Sequence, residues 1–371
     1  MKINFWGDFF APTVEGLMIS EELQGIVSSA DFNVVNFEAP VKPSPQICKI
    51  PKSGPSHCQC DTGPDWLEAK GFNLVSFANN HMMDYGDDAL DFSKSKFTKA
   101  KVFGAGTWDE AYNPCIIEKD GVKIGILGVA HYEFGMLADK WDTRYQLGIA
   151  WINHPDVDKI LGNTRRQVDY LIVFAHAGLE HVEQPLPEWR DRYRSFIDIG
   201  CDAVIASHPH IIQGWETYHG KPIIYSLGNF YFPKHTKKPW QWYRSLCVSL
   251  ELDNDKISLQ TTPIVFSNMF IDRDNSSEVK EYIERINEVL NDDGKYMEYV
   301  NRICLEKLRE YDYHFAQSGY IPIGNIKCIV RKIYNLFIGK RDSFVYMENA
   351  LRCESHRWCI TRGIKLKNNI Q

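Results

Sequence analysis

No run of the 371-residue chain approaches the roughly 18–20 uncharged apolar residues that a membrane-spanning helix needs. The first eight residues hold no apolar stretch long enough for a secretory leader. Acid arrives at Asp8 and the segment reads as a strand entered at once, so a cytoplasmic protein is the default expectation. The ten cysteines are scattered, which excludes a secreted disulfide scaffold; most sit in apolar company and read as small core residues. His57-Cys58-Gln59-Cys60, with Cys48 ten residues upstream, resembles part of a structural zinc site, but no second C-x-x-C follows. There is no internal repeat, and a composition of 44% hydrophobic and 24% charged residues excludes a disordered or low-complexity chain.

Positive charge is scarce where most of the chain lies. Residues 321–371 hold ten Lys or Arg against three acids, a net of +7, so the other 320 residues carry −13 within an overall charge of −6. A body this acidic excludes a general nucleic-acid binder. Only the tail invites an anionic partner.

What is present is an alternation of short apolar runs and amphipathic helical patterns over the first 235 residues, the signature of an α/β fold. Strands are expected at 3–6, 33–37, 73–77, 101–103, 123–130, 170–175, 203–207 and 223–226. Helices are expected near 15–29, 64–70, 87–99, 155–168 and 188–199. Two further strands, 245–252 and 256–266, flank the turn Asp253-Asn254-Asp255. The pattern becomes helical from about 276, which places a domain boundary near 270: a domain of residues 1–270, then a helical, basic region over 271–371. Residues 40–63, rich in proline, form a long loop of the kind that often carries function.

The informative residues stand at the ends of the apolar runs. Asp8 ends the first and Asn36-Phe37-Glu38 the second. Asn79-Asn80-His81, with Asp84 just beyond, ends the third, and later runs end in His131, in His176 and in His208-Pro209-His210. Ligands bind at the carboxyl ends of strands in open α/β sheets, and neighbouring strands about 4.8 Å apart let several such ends converge. A lone histidine after a strand is ordinarily a cap or core residue; five of twelve at strand ends is not surface scatter. Imidazoles suit Mn, Zn or Fe, carboxylates suit harder ions and bridge them, and this donor count predicts one or two divalent ions.

Gly7-Asp8, Asn36-Phe37-Glu38, Ala78-Asn79-Asn80-His81-x-x-Asp84-x-Gly86, His176-Ala177-Gly178-Leu179-Glu180, Ala203 to His210 and Lys221 to Phe230 resemble, in that order, the signatures of the CapA family. These are bacterial capsule and poly-γ-glutamate synthesis proteins, relatives of the calcineurin-like metallophosphoesterases. The resemblance covers about residues 3–233. It implies a four-layer α/β/β/α sandwich with a metal shell of Asp8, Glu38, Asn80, His81, His176, His208 and His210. His81 or His210 would be the proton donor, and Asn36, Asn79, Asp84, Glu180 and Asn229 would face the substrate or support the ligands. The broader phosphoesterases carry Asp-x-His in the first motif, where this chain has Phe10, and an Asp in the second, where it offers Asn36 and Glu38; one metal position is therefore expected to be weaker.

The resemblance implies three candidate functions. The first is a metal-dependent phosphoesterase-type hydrolase or transferase acting on an anionic polymer or its precursor in capsule synthesis, beside other capsule-synthesis proteins. The second is a γ-glutamyl amide hydrolase or transferase on the same site, and the third a non-catalytic metal-binding scaffold of the capsule apparatus. Residues 325–341 read as a basic amphipathic helix capped by Gly339, whose apolar face either packs on the catalytic domain or lies on a membrane surface.

Overall fold

The computed structural model describes residues 1–139, 146–234, 236–253, 256–317, 326–337 and 345–368. The principal strands, in chain order, are β1 (Lys2–Phe9), β2 (Phe32–Phe37), β3 (Leu74–Ser76), β4 (Lys101–Phe103), β5 (Cys115–Lys119), β6 (Val122–Ala130) and β7 (Tyr170–His176). They continue as β8 (Ala203–Ser207), β9 (Ile212–Tyr218), β10 (Lys221–Leu227), β11 (Asn229–Tyr231), β12 (Arg244–Asp253), β13 (Lys256–Ser267) and β14 (Phe270–Arg273). They form two large sheets. The first runs β14-β13-β12-β1-β2-β3-β4, with β1 to β4 parallel and β11 laid parallel against the end of β1. The second runs β9-β10-β8-β7-β6-β5, with a parallel centre and antiparallel edges.

Residues of the central strands are buried on both faces, as parallel strands between two layers must be. Ile3 and Phe5 of β1, Val34 of β2 and Leu74 of β3 meet Ile126, Ile172, Phe174 and Ile205 of the second sheet in one core between the sheets. The rings of Phe5 and Phe174 stand 5.6 Å apart across it. Each fully buried ring of this kind contributes roughly 1.5–3 kcal/mol. The opposite face of the first sheet, with Trp6, Val35, Phe37 and Val75, packs on Leu23 and Val27 of α1 (Glu21–Ser28), Leu67 of α2 (Gly63–Lys70) and Leu90 of α3 (Asp87–Lys96). The Ser20 side chain caps α1 by accepting from the Leu23 N–H. Helices α4 (Pro155–Thr164) and α5 (Pro187–Ile199) cover the second sheet, α5 burying Trp189, Tyr193 and Phe196. The order helix, sheet, sheet, helix is the four-layer α/β/β/α sandwich that the family resemblance implies.

One irregularity matters for the site. The register of β1 against β2 shifts between Trp6 and Asp8, and Trp6 and Phe9, three apart, join the same core. A bulge at Gly7 thus turns Asp8 away from that core. Only glycine fits there, because a Cβ on Gly7 would lie 1.9 Å from the Gly228 carbonyl oxygen.

The chain divides into two compact units, Met1–Ile50 with Ser56–Asn291, and Asp292–Gln371 with Pro51–Pro55. Helix α6 (Ser277–Asn291) folds with the first. The second is helical, comprising α7 (Asp293–Gln317), α8 (Ile326–Phe337), α9 (Val345–Arg352) and α10 (Glu354–Lys367). Within it α7 and α10 pack together and bury Cys304, Leu308, Cys359 and Ile360. Ile326, Val330, Ile333 and Tyr334 of α8 are exposed. Gly339 and the rest of the expected helical tail, residues 325 and 338–341, lie outside the described residues. No helix among the described residues is long and apolar enough to cross a membrane.

Candidate metal centre

The strand ends converge. Asp8 pairs in register with Asn36 on one side and with Asn229 on the other, and His176 pairs with Ser207 and with Ala130. Asp8, Glu38, Asn36, Asn79, Asn80, His81, His176, His208, His210 and Asn229 are all buried. Asp8, Glu38 and His176 each offer one ligand atom, and these three atoms lie within 4.8 Å of one another.

A network of amides holds the oxygen ligands. Asn79 donates to the Asn36 Oδ1 at 3.1 Å, which turns the Asn36 amide NH2 toward Asp8 Oδ1 at 2.7 Å and Glu38 Oε2 at 3.5 Å. Gln59 clamps the backbone behind them: it donates to the carbonyls of Phe9 and Glu38 and accepts from the Ala11 N–H. Glu38 Oε1 is buried and has no hydrogen-bond partner among the described residues; the His210 Nε2 stands 3.6 Å away. Burial and the neighbouring Asp8 raise the Glu38 carboxyl well above its usual range. Burial also works to raise Asp8, but the adjacent imidazoles of His210 and His176 reverse it and hold Asp8 low.

The imidazoles come from the second sheet. His176 Nε2 lies 3.1 Å from Asn80 Oδ1 and 3.1 Å from His208 Nδ1, while its Nδ1 faces Asp8 Oδ1 at 3.6 Å. Burial drives the His176 pKa down to about 3 and pushes His208 down as well, so both are neutral and fit to bind a cation. His210 goes the other way. Burial opposes its charge, yet Glu38 and Asp8 raise it to about 9. Asn229 spends its NH2 on the carbonyls of His210 and Trp242, so its Oδ1 accepts from His210 Nδ1 at 2.9 Å and fixes the ring. His208 and His210 take positive φ values of 101° and 60°. Such strain costs on the order of 1–3 kcal/mol per residue and clusters at functional sites.

His81 and Asp84 stand as a separate pair. The His81 Nδ1 meets Asp84 Oδ2 at 2.8 Å, and the same oxygen accepts the His57 N–H at 2.7 Å. Glu180 is not drawn into the cluster; it is exposed, 3.7 Å from His181. Phe10, at the position of the missing histidine, packs 4.9 Å from the His57 ring and 4.6 Å from Phe232.

Several participants escaped the reading of the strand ends. Glu133 accepts from the Asn80 amide at 3.3 Å and lies 3.6 Å from His131, whose ring is 4.3 Å from His208. Gln59 and His57 belong to the proline-rich loop over 40–63, on either side of Cys58. Cys58 and Cys60 are only partly buried, and Cys60 accepts from Thr62. Lys234 is half-buried 3.4 Å from His57 Nε2, with burial pulling it below the ordinary lysine range. Nothing in its spacing announced it.

The donor set fits a divalent ion on the chemistry present: two buried carboxylates, one with an oxygen that makes no hydrogen bond among the described residues, and two buried neutral imidazoles. Residues 9–234 match the family model described as bacterial capsule synthesis protein PGA_cap. The PGA biosynthesis protein CapA of Bacillus subtilis is 28% identical over 219 residues, covering 58% of this chain and 56% of that protein. The capsule biosynthesis protein CapA of Bacillus anthracis is 29% identical over 216 residues, covering 56% and 51%. The chain therefore spans about half the length of these curated relatives. Among solved structures it is similar to a 5′-nucleotidase of Candida albicans at 10% identity and a TM-score of 0.42, covering 84% of this chain and 58% of that one.

Proposed function

The chain belongs to the bacterial capsule synthesis protein family, and from that membership we propose that it is a metal-dependent hydrolase or transferase of cell-surface polymer synthesis. Its substrate is an anionic polymer, poly-γ-glutamate or a capsular polysaccharide, or the phosphorylated precursor of one. The observation that carries the reading is the buried Oε1 of Glu38, which makes no hydrogen bond among the described residues, beside Asp8 and His176.

Asp8, Glu38, His176 and His208 would hold one or two divalent ions, with Asn80 and His210 at their edge. An ion bound there supplies Lewis acidity and makes water nucleophilic at neutral pH. The protein's own groups do the rest. His210, its Nδ1 donating to Asn229, keeps a proton for the leaving group. His81, its Nδ1 held 2.8 Å from Asp84 Oδ2, would be the second candidate to exchange a proton with substrate. The exposed apolar side chains of α8, on a tail of net +7, support contact with an anionic membrane surface where such polymers are assembled.

Metal analysis of the purified protein, followed by a panel of phosphomonoester, phosphodiester and γ-glutamyl substrates, tests the reading. Stoichiometric divalent metal with turnover of one class supports it. Absence of metal under loading conditions overturns it. Co-sedimentation with anionic liposomes, comparing the full chain with one ending at Gly324, tests the membrane contact; equal sedimentation overturns that part alone.

A further inference from the structure

After β11 the chain runs through Phe232, Lys234, Lys237 and Lys238 to Trp242. Residues 229–243 hold three lysines and no acid, within a body of net −13. Lys237 is exposed, but the other two are seated on aromatic rings. Lys234 Nζ sits 4.5 Å from the centre of the Phe232 ring and 5.5 Å from that of Trp242, and Lys238 Nζ sits 4.7 Å from Trp242. Trp242 Nε1 donates to the Phe232 carbonyl at 2.8 Å, which closes the loop and fixes the two rings as one platform. The platform adjoins the metal centre: the His210 ring lies 5.1 Å from Phe232 and 4.9 Å from Trp242. His57, in contact with Lys234 Nζ at 3.4 Å, has its ring 4.6 Å from that of His81, tilted to it.

An aromatic face holds an ammonium in place without neutralising it. Among the described residues neither Lys234 nor Lys238 makes an ion pair with a carboxylate. Both ammonium groups are only partly exposed and are held over rings rather than carboxylates. An anion arriving there can form charge-assisted hydrogen bonds with them.

Taking the Asp8–Glu38–His176 cluster as the reaction centre, we propose that Lys234 and Lys238, seated on Phe232 and Trp242, form a second anion subsite. It grips a carboxylate or phosphate one or more units away from the reacting bond. The ligand of this protein then carries at least two anionic groups on one flexible chain, and the subsite selects such polyanions over small anions that occupy the centre alone.

Calorimetric titration of the full-length, metal-loaded protein tests this with three probes: a γ-linked glutamate tetramer, the same tetramer with its side carboxyls amidated, and inorganic phosphate. Lys234→Gln and Lys238→Gln should each weaken tetramer binding roughly tenfold and the double variant more, the scale of a lost charge-assisted hydrogen bond. Phosphate affinity and metal content should not change, Lys234→Arg should keep most of the tetramer affinity, and the amidated tetramer should bind weakly to every variant. Native affinity of the double variant for the tetramer overturns the proposal, as does equal binding of the amidated form. An equal loss of phosphate affinity also overturns it, by making the lysines part of the centre. Lys238→Gln, at the more exposed position, serves if the Lys234 variants fail to fold. The two readings fail separately. Metal retained with no lysine dependence sinks the subsite alone; no metal bound, with lysine-dependent tetramer binding intact, sinks the reaction centre alone.

Discussion

The two sheets bring different chemistry to the same edge, and they are held together by different means. The first sheet supplies Asp8 and Glu38 and surrounds them with uncharged amides. Asn36 and Asn79 support the ligands, and deeper in the sheet Asn33 accepts from Asn4 and from the Trp6 indole N–H while donating to the carbonyls of Val27 and Gly71. The second sheet supplies imidazoles and anchors itself with ions. Glu216 on β9 accepts from Arg190 and Arg194 of α5 and from Tyr225, and Asp202 pairs with Arg165 and Lys221. The difference has a function. No Arg or Lys is paired with Asp8 or Glu38 among the described residues; the amides orient the carboxylates. The cation beside them is the His210 imidazole, 3.6 Å from each, which a metal ion can displace by taking its proton's place. The permanent ion pairs stand where no ligand has to bind.

The largest effect should come from removing one donor in each half. Asp8→Ala should lower metal affinity by more than about 100-fold, because it removes a charged ligand and the acceptor that orients Asn36. His208→Ala should cost less, since His176 and Asn80 remain. Metal content after dialysis measures both, and a larger loss in the histidine variant would invert the comparison.

Next in size is the anchor of the second sheet. Burial would raise the Glu216 carboxyl, but Arg194, Arg190 and Tyr225 pull it from 4.5 down to about 2. A carboxylate depressed on folding contributes stability that is complete above its unfolded pKa and is lost as pH falls through the folded value. Acid should therefore weaken this anchor between about pH 4.5 and 2. Glu216→Ala should cost about 3–5 kcal/mol at neutral pH by leaving two arginines unpaired, and the variant should lose less on acidification than the native chain. Denaturant unfolding at pH 7 and pH 3 measures both; a parallel pH dependence would sink the assignment. The amide counterpart is smaller and flat with pH. Asn33→Ala should cost about 2 kcal/mol at both values, because it orphans the Trp6 and Asn4 donors.

The same division separates the features that were legible in the sequence from those that were not. Strand ends were readable because a run such as Leu171 to Ala175 announces a buried strand and His176 comes directly after it. The α/β class came with the alternation of strands and helices; the four layers came with the resemblance alone. The short β11 was not readable: three residues carry no period, and it exists because Gly228, at φ 76°, lets the chain fold back against β1. The bulge at Gly7 that re-aims Asp8 is likewise a fact of packing. Gln59, Glu133 and Lys234 reach the site from loops, where no periodicity marks position. The amphipathic pattern near 326–337 was plain in the sequence; the partner of its apolar face was not.

The smallest and most selective change joins the two halves. Asn36 stands beside Glu38 in the second motif, and its NH2 lies between Asp8, Glu38 and the His176 Nδ1. Asn36→Asp would replace that donor with a third negative charge. Without metal, three carboxylates would crowd one dry pocket; like charges disfavour ionisation, and Asp8 would lose its 2.7 Å hydrogen bond. The metal-free variant should therefore be less stable than the native chain by about 1–3 kcal/mol. With metal, the added ligand should tighten binding roughly tenfold, and by linkage the bound ion then stabilises the fold. The sign of the effect on Tm should reverse: below native in chelator, at or above native in excess divalent ion. Thermal melts in both conditions decide it. A variant whose Tm shifts no more with metal than the native protein's would mean that Asn36 stands outside the ion's reach, and that the first sheet contributes only Asp8 and Glu38.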